Sequence, residues 1–119
     1  MLPSVTTKED PAIMRREMQR ILREEKDIDG ILVTCGCVQA AGEELKSSGR
    51  RDVRLICYED YPEILDLMRE DVVTMTLGSG LNEQGRKSIE VLLDKLIYDR
   101  NPYRKHLYSE IHVMVKESL

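Results

Sequence analysis

Tryptophan and phenylalanine are both absent from the 119 residues, so leucine, isoleucine, valine and methionine must fill whatever core the chain has. No run approaches the ~20 apolar residues that a membrane helix needs. The start, "MLPSVTTKEDP", carries neither the basic region nor the apolar region of an export signal. The three cysteines are an odd set in a chain without such a signal, which argues against a disulfide framework and for a reducing compartment. A cytoplasmic location is expected, with no membrane partner.

An excess of positive charge is also missing. Lys and Arg number 18 against 22 Asp and Glu, a net charge of -4. Phosphate backbones need clustered cations, so this stretch is not expected to touch DNA. Nothing resembles a Ser-His-Asp set, a P-loop or G-x-G-x-x-G, and "GSGLNEQG" (78 to 85) does not match a phosphate fingerprint. Neither enzymatic activity nor a cofactor is expected.

What is present is a regular alternation. "EDPAIMRREMQRILREE" predicts a helix ending near Glu25, with Asp10 as N-cap and Pro11 at N1, where its missing N–H costs nothing. Ile13, Met14, Met18, Ile21 and Leu22 form its apolar stripe. "ILVT" (31 to 34), "VRLICY" (53 to 58) and "VVTMTL" (72 to 77) are short apolar runs that read as strands, and Leu2 to Thr6 could be another. Between them lie a helix with Val38, Ala41 and Leu45 inward and Gly49 as its stop, and a helix opened by Asp60 and Pro62 that carries Ile64, Leu65, Leu67 and Met68. A long amphipathic helix follows over about 80 to 98, with Ile89, Leu92, Leu93, Leu96 and Ile97 expected inward, stopped by Asn101-Pro102. "YSEIHVMVKES" alternates Ile111, Val113 and Val115 against His112, Met114 and Lys116, a strand whose drier face should be the first set.

Strands alternating with helices over short links predict an α/β fold, a three-layer (αβα) arrangement around a mostly parallel sheet. Ligands of such sheets bind beyond the carboxyl ends of the strands. Thr34 to Cys37, Cys57 to Tyr61 and Leu77 to Leu81 should converge there.

Taken in order, "DIDGILVT", "ELKSSGRRDVRLICYEDYPEILDLMRED", "NEQGRKSIEVLLDKLI" and "SEIHVMVKESL" resemble the C-terminal part of the effector-binding domain of LacI/GalR-type transcriptional regulators, a periplasmic-binding-protein type I fold. The resemblance implies a single C-terminal fragment of such a domain. Residues 1-78 would supply the strands and helices of one subdomain. Residues 79-108 would hold a helix that normally returns to the missing N-terminal subdomain, and 109-119 the closing strand. It further implies a small-molecule, sugar-like effector bound between two subdomains, a homodimer, and DNA bound only through an N-terminal domain upstream. Carried over position by position, the family's ligand-gripping Asn-Asp turn falls on Cys35 and Gly36, its aromatic-Asp turn on Tyr58, Glu59 and Asp60, and its Gln on Ser79. The expected ligand-binding residues are thus Cys35, Gly36, Glu59 and Ser79. A thiol and a glycine do not reproduce the directed hydrogen bonds of Asn and Asp, which argues for an altered sugar specificity.

Two alternatives come from the residues themselves. One is a free-standing flavodoxin-like signalling domain, although the acidic pair and the lysine of a receiver are not found. The other is a thiol or metal sensor using Cys35, Cys37 and Cys57, all expected near neighbouring strand ends. Against a metal stands the weakness of a lone C-x-C pattern, and the expectation is that Gly36 makes the turn while the cysteines fill space. Asp60 is expected to cap its helix.

Overall fold

A computed structural model describes residues 4–102 and 104–119. The N-terminal strand expectation rests partly on Leu2 and Pro3, outside the described residues, and Ser4 to Thr6 carry no strand. The first helix, α1 (Pro11–Glu24), begins as its sequence dictates: the Asp10 side chain accepts from the backbone N–H groups of Ala12 (2.8 Å) and Ile13 (3.4 Å), with Pro11 in the first turn. Such a cap stabilises by about 1 kcal/mol.

Strand β1 (Gly30–Val33), helix α2 (Val38–Ser48), strand β2 (Arg54–Tyr58), helix α3 (Pro62–Arg69) and strand β3 (Val73–Gly78) follow in sequence. The strands lie side by side in the order β1-β2-β3, all parallel. Right-handed crossovers that always step in one direction put α2 and α3 on the same face. There Val38, Ala41 and Leu45 of α2 and Ile64, Leu67 and Met68 of α3 bury against Val33, Leu55, Cys57 and Val73. Met14, Met18 and Leu22 of α1 join this core, and Arg15 pairs across to Glu43 of α2 at 2.6 Å. Gly49 ends α2 at φ +70°, a left-handed conformation in which an L side chain would be strained.

Helix α4 (Leu81–Tyr98) and strand β4 (His112–Met114) complete the chain, β4 running antiparallel on the far edge of β3. The α/β class, the mostly parallel sheet and the flanking helices are therefore as expected from the pattern. Three details differ. First, β4 turns its alternation the other way: Met114 pairs with Thr76 and packs on the core, whereas Ile111 and Val113 are exposed. Pairing with a residue of the buried face decides this, since the period of two assigns both faces only up to their identity.

Second, Asp60 is not a cap. Tyr61 takes the N-cap position in an extended conformation and makes no side-chain cap bond. Pro62 imposes this, because its ring pushes the preceding residue out of the helical region. Third, the stripe of α4 does not face inward: Ile89, Leu92, Leu93, Leu96 and Ile97 are all exposed, Leu96 to 72%. On the sheet face opposite α1–α3, Leu32 and Val113 are also more than half exposed. Among the described residues no helix is long and apolar enough to cross a membrane.

Candidate functional site

The carboxyl ends of three parallel strands open on one side of the sheet, and two groups of side chains collect there. At the end of β2, Glu59 has a left-handed backbone, φ 77°. For a residue with a β-carbon this costs about 1–3 kcal/mol and persists only where the surroundings enforce it. Here β3 enforces it. The Glu59 N–H donates to the Leu77 carbonyl at 3.0 Å, and the buried Thr76 hydroxyl donates to the Glu59 carbonyl at 2.6 Å.

Held in this way, the Glu59 carboxylate accepts from the Ser79 hydroxyl at 3.0 Å. The Ser79 carbonyl in turn accepts from the Gln84 side-chain amide at 2.6 Å, which ties the start of α4 to the end of β3. Asp60 lies against Gly78, where an added β-carbon would come within 3.2 Å of a carboxylate oxygen. Glu59 and Ser79 are both half-buried, so a carboxylate and a hydroxyl stand together at the strand ends with solvent access. An open cleft of about 610 Å³ starts at Ser79 and runs between the first half of α4 and residues 107 to 112.

At the end of β1 the turn Cys35-Gly36-Cys37 leads into α2, with Cys37 in the N-cap position but making no side-chain cap bond. The partner of this turn comes from far along the chain. The Gly36 N–H donates to the Glu9 carboxylate at 2.9 Å, and the Thr7 hydroxyl lies 3.6 Å from the Cys35 sulfur. Burial pushes the Cys37 thiol above its ordinary pKa, and the neighbouring Cys35 and the charges of Glu9 and Asp10 add to the shift. Burial also raises the Cys57 thiol.

The structure therefore joins Glu59 to Ser79, and Gly36 to Glu9, at adjacent strand ends. It separates Cys57 from the other two cysteines. In the sheet Cys57 is the partner of Val33 and Thr76 on the helix-covered face, fully buried, so a sensor built on all three thiols lacks its third member. Glu9 and Thr7 are what sequence reading missed. Their approach depends on two successive left-handed residues, Lys8 (φ 53°) and Glu9 (φ 57°), which no glycine or asparagine announces.

No family model matches the chain, and no curated protein does. Solved structures do. A protein from Bacteroides fragilis assigned to the LacI transcriptional regulators is 25% identical, with a TM-score of 0.79 over 87% of this chain and 36% of its own. An ABC transporter solute-binding protein from Agrobacterium vitis, solved with bound D-fucose, is 17% identical, with a TM-score of 0.86 over 98% of this chain and 40% of its own. GanP, a glucose-galactose binding protein from Geobacillus stearothermophilus, is 14% identical, with a TM-score of 0.78 over 95% and 40%. The chain spans less than half the length of each of these proteins, and over that span it has the α/β fold of a periplasmic-binding-protein type I domain.

Proposed function

We propose that the chain is the C-terminal part of the effector-binding domain of a LacI-type transcriptional regulator, a non-enzymatic module that senses a small sugar-like molecule. Residues 1–78 form one wall of the ligand crevice, residues 79–108 carry the limb that belongs with the other subdomain, and residues 109–119 return to close the sheet. The observation that carries this reading is α4. Its apolar stripe is exposed along its whole length in a chain whose fold covers only 36% and 40% of the proteins it matches. An amphipathic helix of this kind needs a second layer to bury it.

Within that crevice Cys35, Gly36, Glu59 and Ser79 are the ligand-binding residues. The Glu59 carboxylate accepts from a ligand hydroxyl, and the Ser79 hydroxyl, already oriented by Glu59, offers a further bond. The Agrobacterium vitis protein with D-fucose and the glucose-galactose binding protein support a polyhydroxylated ligand. Closure of the two subdomains on that ligand shifts the population of a homodimer between states of different DNA affinity, and it does so only through its differential affinity for those states. The DNA contacts belong to an upstream domain in the cytoplasm.

Glu59→Gln in the intact protein tests the site, with monosaccharides as probes in a calorimetric titration. Loss of a charge-assisted hydrogen bond of about 1.5–3 kcal/mol should weaken binding about tenfold or more, while Gln retains a partner for Ser79. Unchanged affinity for a sugar that binds the parent protein would remove Glu59 from the site.

The solute-binding proteins among the structural neighbours favour a second reading on the same fold, a free solute-binding protein. The reading frame separates the two. A regulator requires a helix-turn-helix and a first subdomain upstream of Met1, whereas a solute-binding protein requires an export signal there. A frame that starts at Met1 would sink both.

A further inference from the structure

A sulfur-rich cluster lies at the first of the three strand ends, and it shares Cys35 with the proposed sugar site while its metal test needs no sugar. One ligand atom each from Glu9, Cys35 and Cys37 lie within 4.8 Å of one another. Zinc bonds of about 2.3 Å to sulfur and 2.0–2.2 Å to carboxylate oxygen put the donors of a tetrahedral ion less than about 4 Å apart. Modest side-chain rotation therefore brings the three onto one ion.

The surroundings suit that arrangement. One Glu9 oxygen is oriented by the Gly36 N–H at 2.9 Å, as the outer partners of a metal-ligating carboxylate are. The Thr7 hydroxyl, itself buried, is placed at 3.6 Å to donate to a Cys35 thiolate. The turn opens helix α2, whose N-terminal N–H groups favour negative charge. Cys37 is buried, Cys35 half-buried and Glu9 exposed, so the cluster is closed toward the core and accessible from outside.

We propose that Glu9, Cys35 and Cys37 form a Zn²⁺ site, two thiolates and one carboxylate, with the fourth position open to water or a small ligand. Two thiolates with a carboxylate select a borderline divalent ion, because Cu(I) prefers sulfur alone and Mg²⁺ or Ca²⁺ prefer oxygen. On binding, each thiol gives up its proton to solvent as its sulfur bonds the metal, so two protons are released and the cluster carries one net negative charge. The fold thus replaces Cys57, the third thiol that strand order suggests, with a carboxylate from a distant turn.

The test uses the reduced, chelator-stripped chain titrated with Cd²⁺, followed by the near-ultraviolet charge-transfer absorption of cadmium thiolates. The absorption should saturate at one equivalent and be displaced by Zn²⁺. Cys35→Ser with Cys37→Ser should abolish it, and Cys57→Ala should leave it intact. Glu9→Gln, an exposed change that leaves the core untouched, should weaken Cd²⁺ binding by at least about tenfold, the lower end of what loss of an orienting partner alone costs. Absence of the absorption in parent protein with folded circular dichroism would overturn the site. So would absorption that survives loss of both cysteines, that requires Cys57, or that is unchanged in Glu9→Gln.

Discussion

Leu55→Ala is expected to lower the free energy of unfolding by about 2–5 kcal/mol, seen as a fall in the urea midpoint with the slope unchanged. Leu55 lies in the middle strand of the parallel set, between Ile31 and Val73, and is completely buried beneath the helical layer. Truncation removes its transfer free energy and leaves a cavity that two flanking strands and the helices above cannot easily close. For a domain whose whole stability is about 5–15 kcal/mol, that is a large share.

The same substitution on α4 sets the comparison. Leu92 is exposed, so Leu92→Ala should fall within about 0.5 kcal/mol of the parent. Equal costs of the size expected at Leu55 would show that α4 buries its stripe as deeply as the sheet buries Leu55.

Gly42→Val should destabilise by about 1–3 kcal/mol, the range for overpacking. Gly42 is buried inside α2, where a glycine would ordinarily be a defect: alanine there gains up to about 1 kcal/mol of helix propensity. Packing opposes that gain. A β-carbon built at Gly42 falls 2.5 Å from a Leu67 methyl and 3.4 Å from the other, so α3 approaches α2 where a side chain would stand. Leu67 is itself buried and has little room to swing aside.

The diagnostic is a double-mutant cycle. Leu67→Ala alone opens a cavity, but together with Gly42→Val the new methyls should refill it, so the two losses should combine to less than their sum. Additive losses would mean that the strain at Gly42 lies elsewhere.

Such positions show how far the local pattern reaches. The apolar runs at 31 to 34, 53 to 58 and 72 to 77 place β1, β2 and β3 to within about a residue or two, the usual uncertainty of element ends. The stripe Met14, Met18 and Leu22 and the Asp10-Pro11 pair place α1, because cap chemistry and the helical period are local. The α2 stripe of Val38, Ala41 and Leu45 is legible for the same reason. Asp60 was a reasonable cap on residue type alone, and the ring of Pro62 overrode it by extending Tyr61.

The clusters at the strand ends divide along the same line. That Cys35, Gly36, Glu59 and Ser79 follow strands is legible, and a parallel sheet then gathers them at one edge. Which of them touch is not. The Glu59–Ser79 hydrogen bond depends on a left-handed Glu59 held by Thr76 and Leu77, and the Gly36–Glu9 bond depends on left-handed Lys8 and Glu9. Cys57 follows the same strand-end pattern as Cys35 and Cys37, yet it is fully buried within β2, whereas the other two sit in the turn beyond β1. Among the described residues only Glu9 shares their 4.8 Å cluster.

By itself, the sequence determined the helices, the three parallel strands and their succession along the chain, since periodicity and capping act over a few residues. Tertiary structure alone decided three matters. Pairing with Thr76 chose the buried side of β4; the reach of Glu9 back to the Cys35-Gly36-Cys37 turn assembled the sulfur cluster; and the exposure of the α4 stripe left an apolar surface facing away from the core. Each is a relation between residues distant in sequence, which hydrophobic period cannot encode: period says that a face is apolar, and only packing says what it meets.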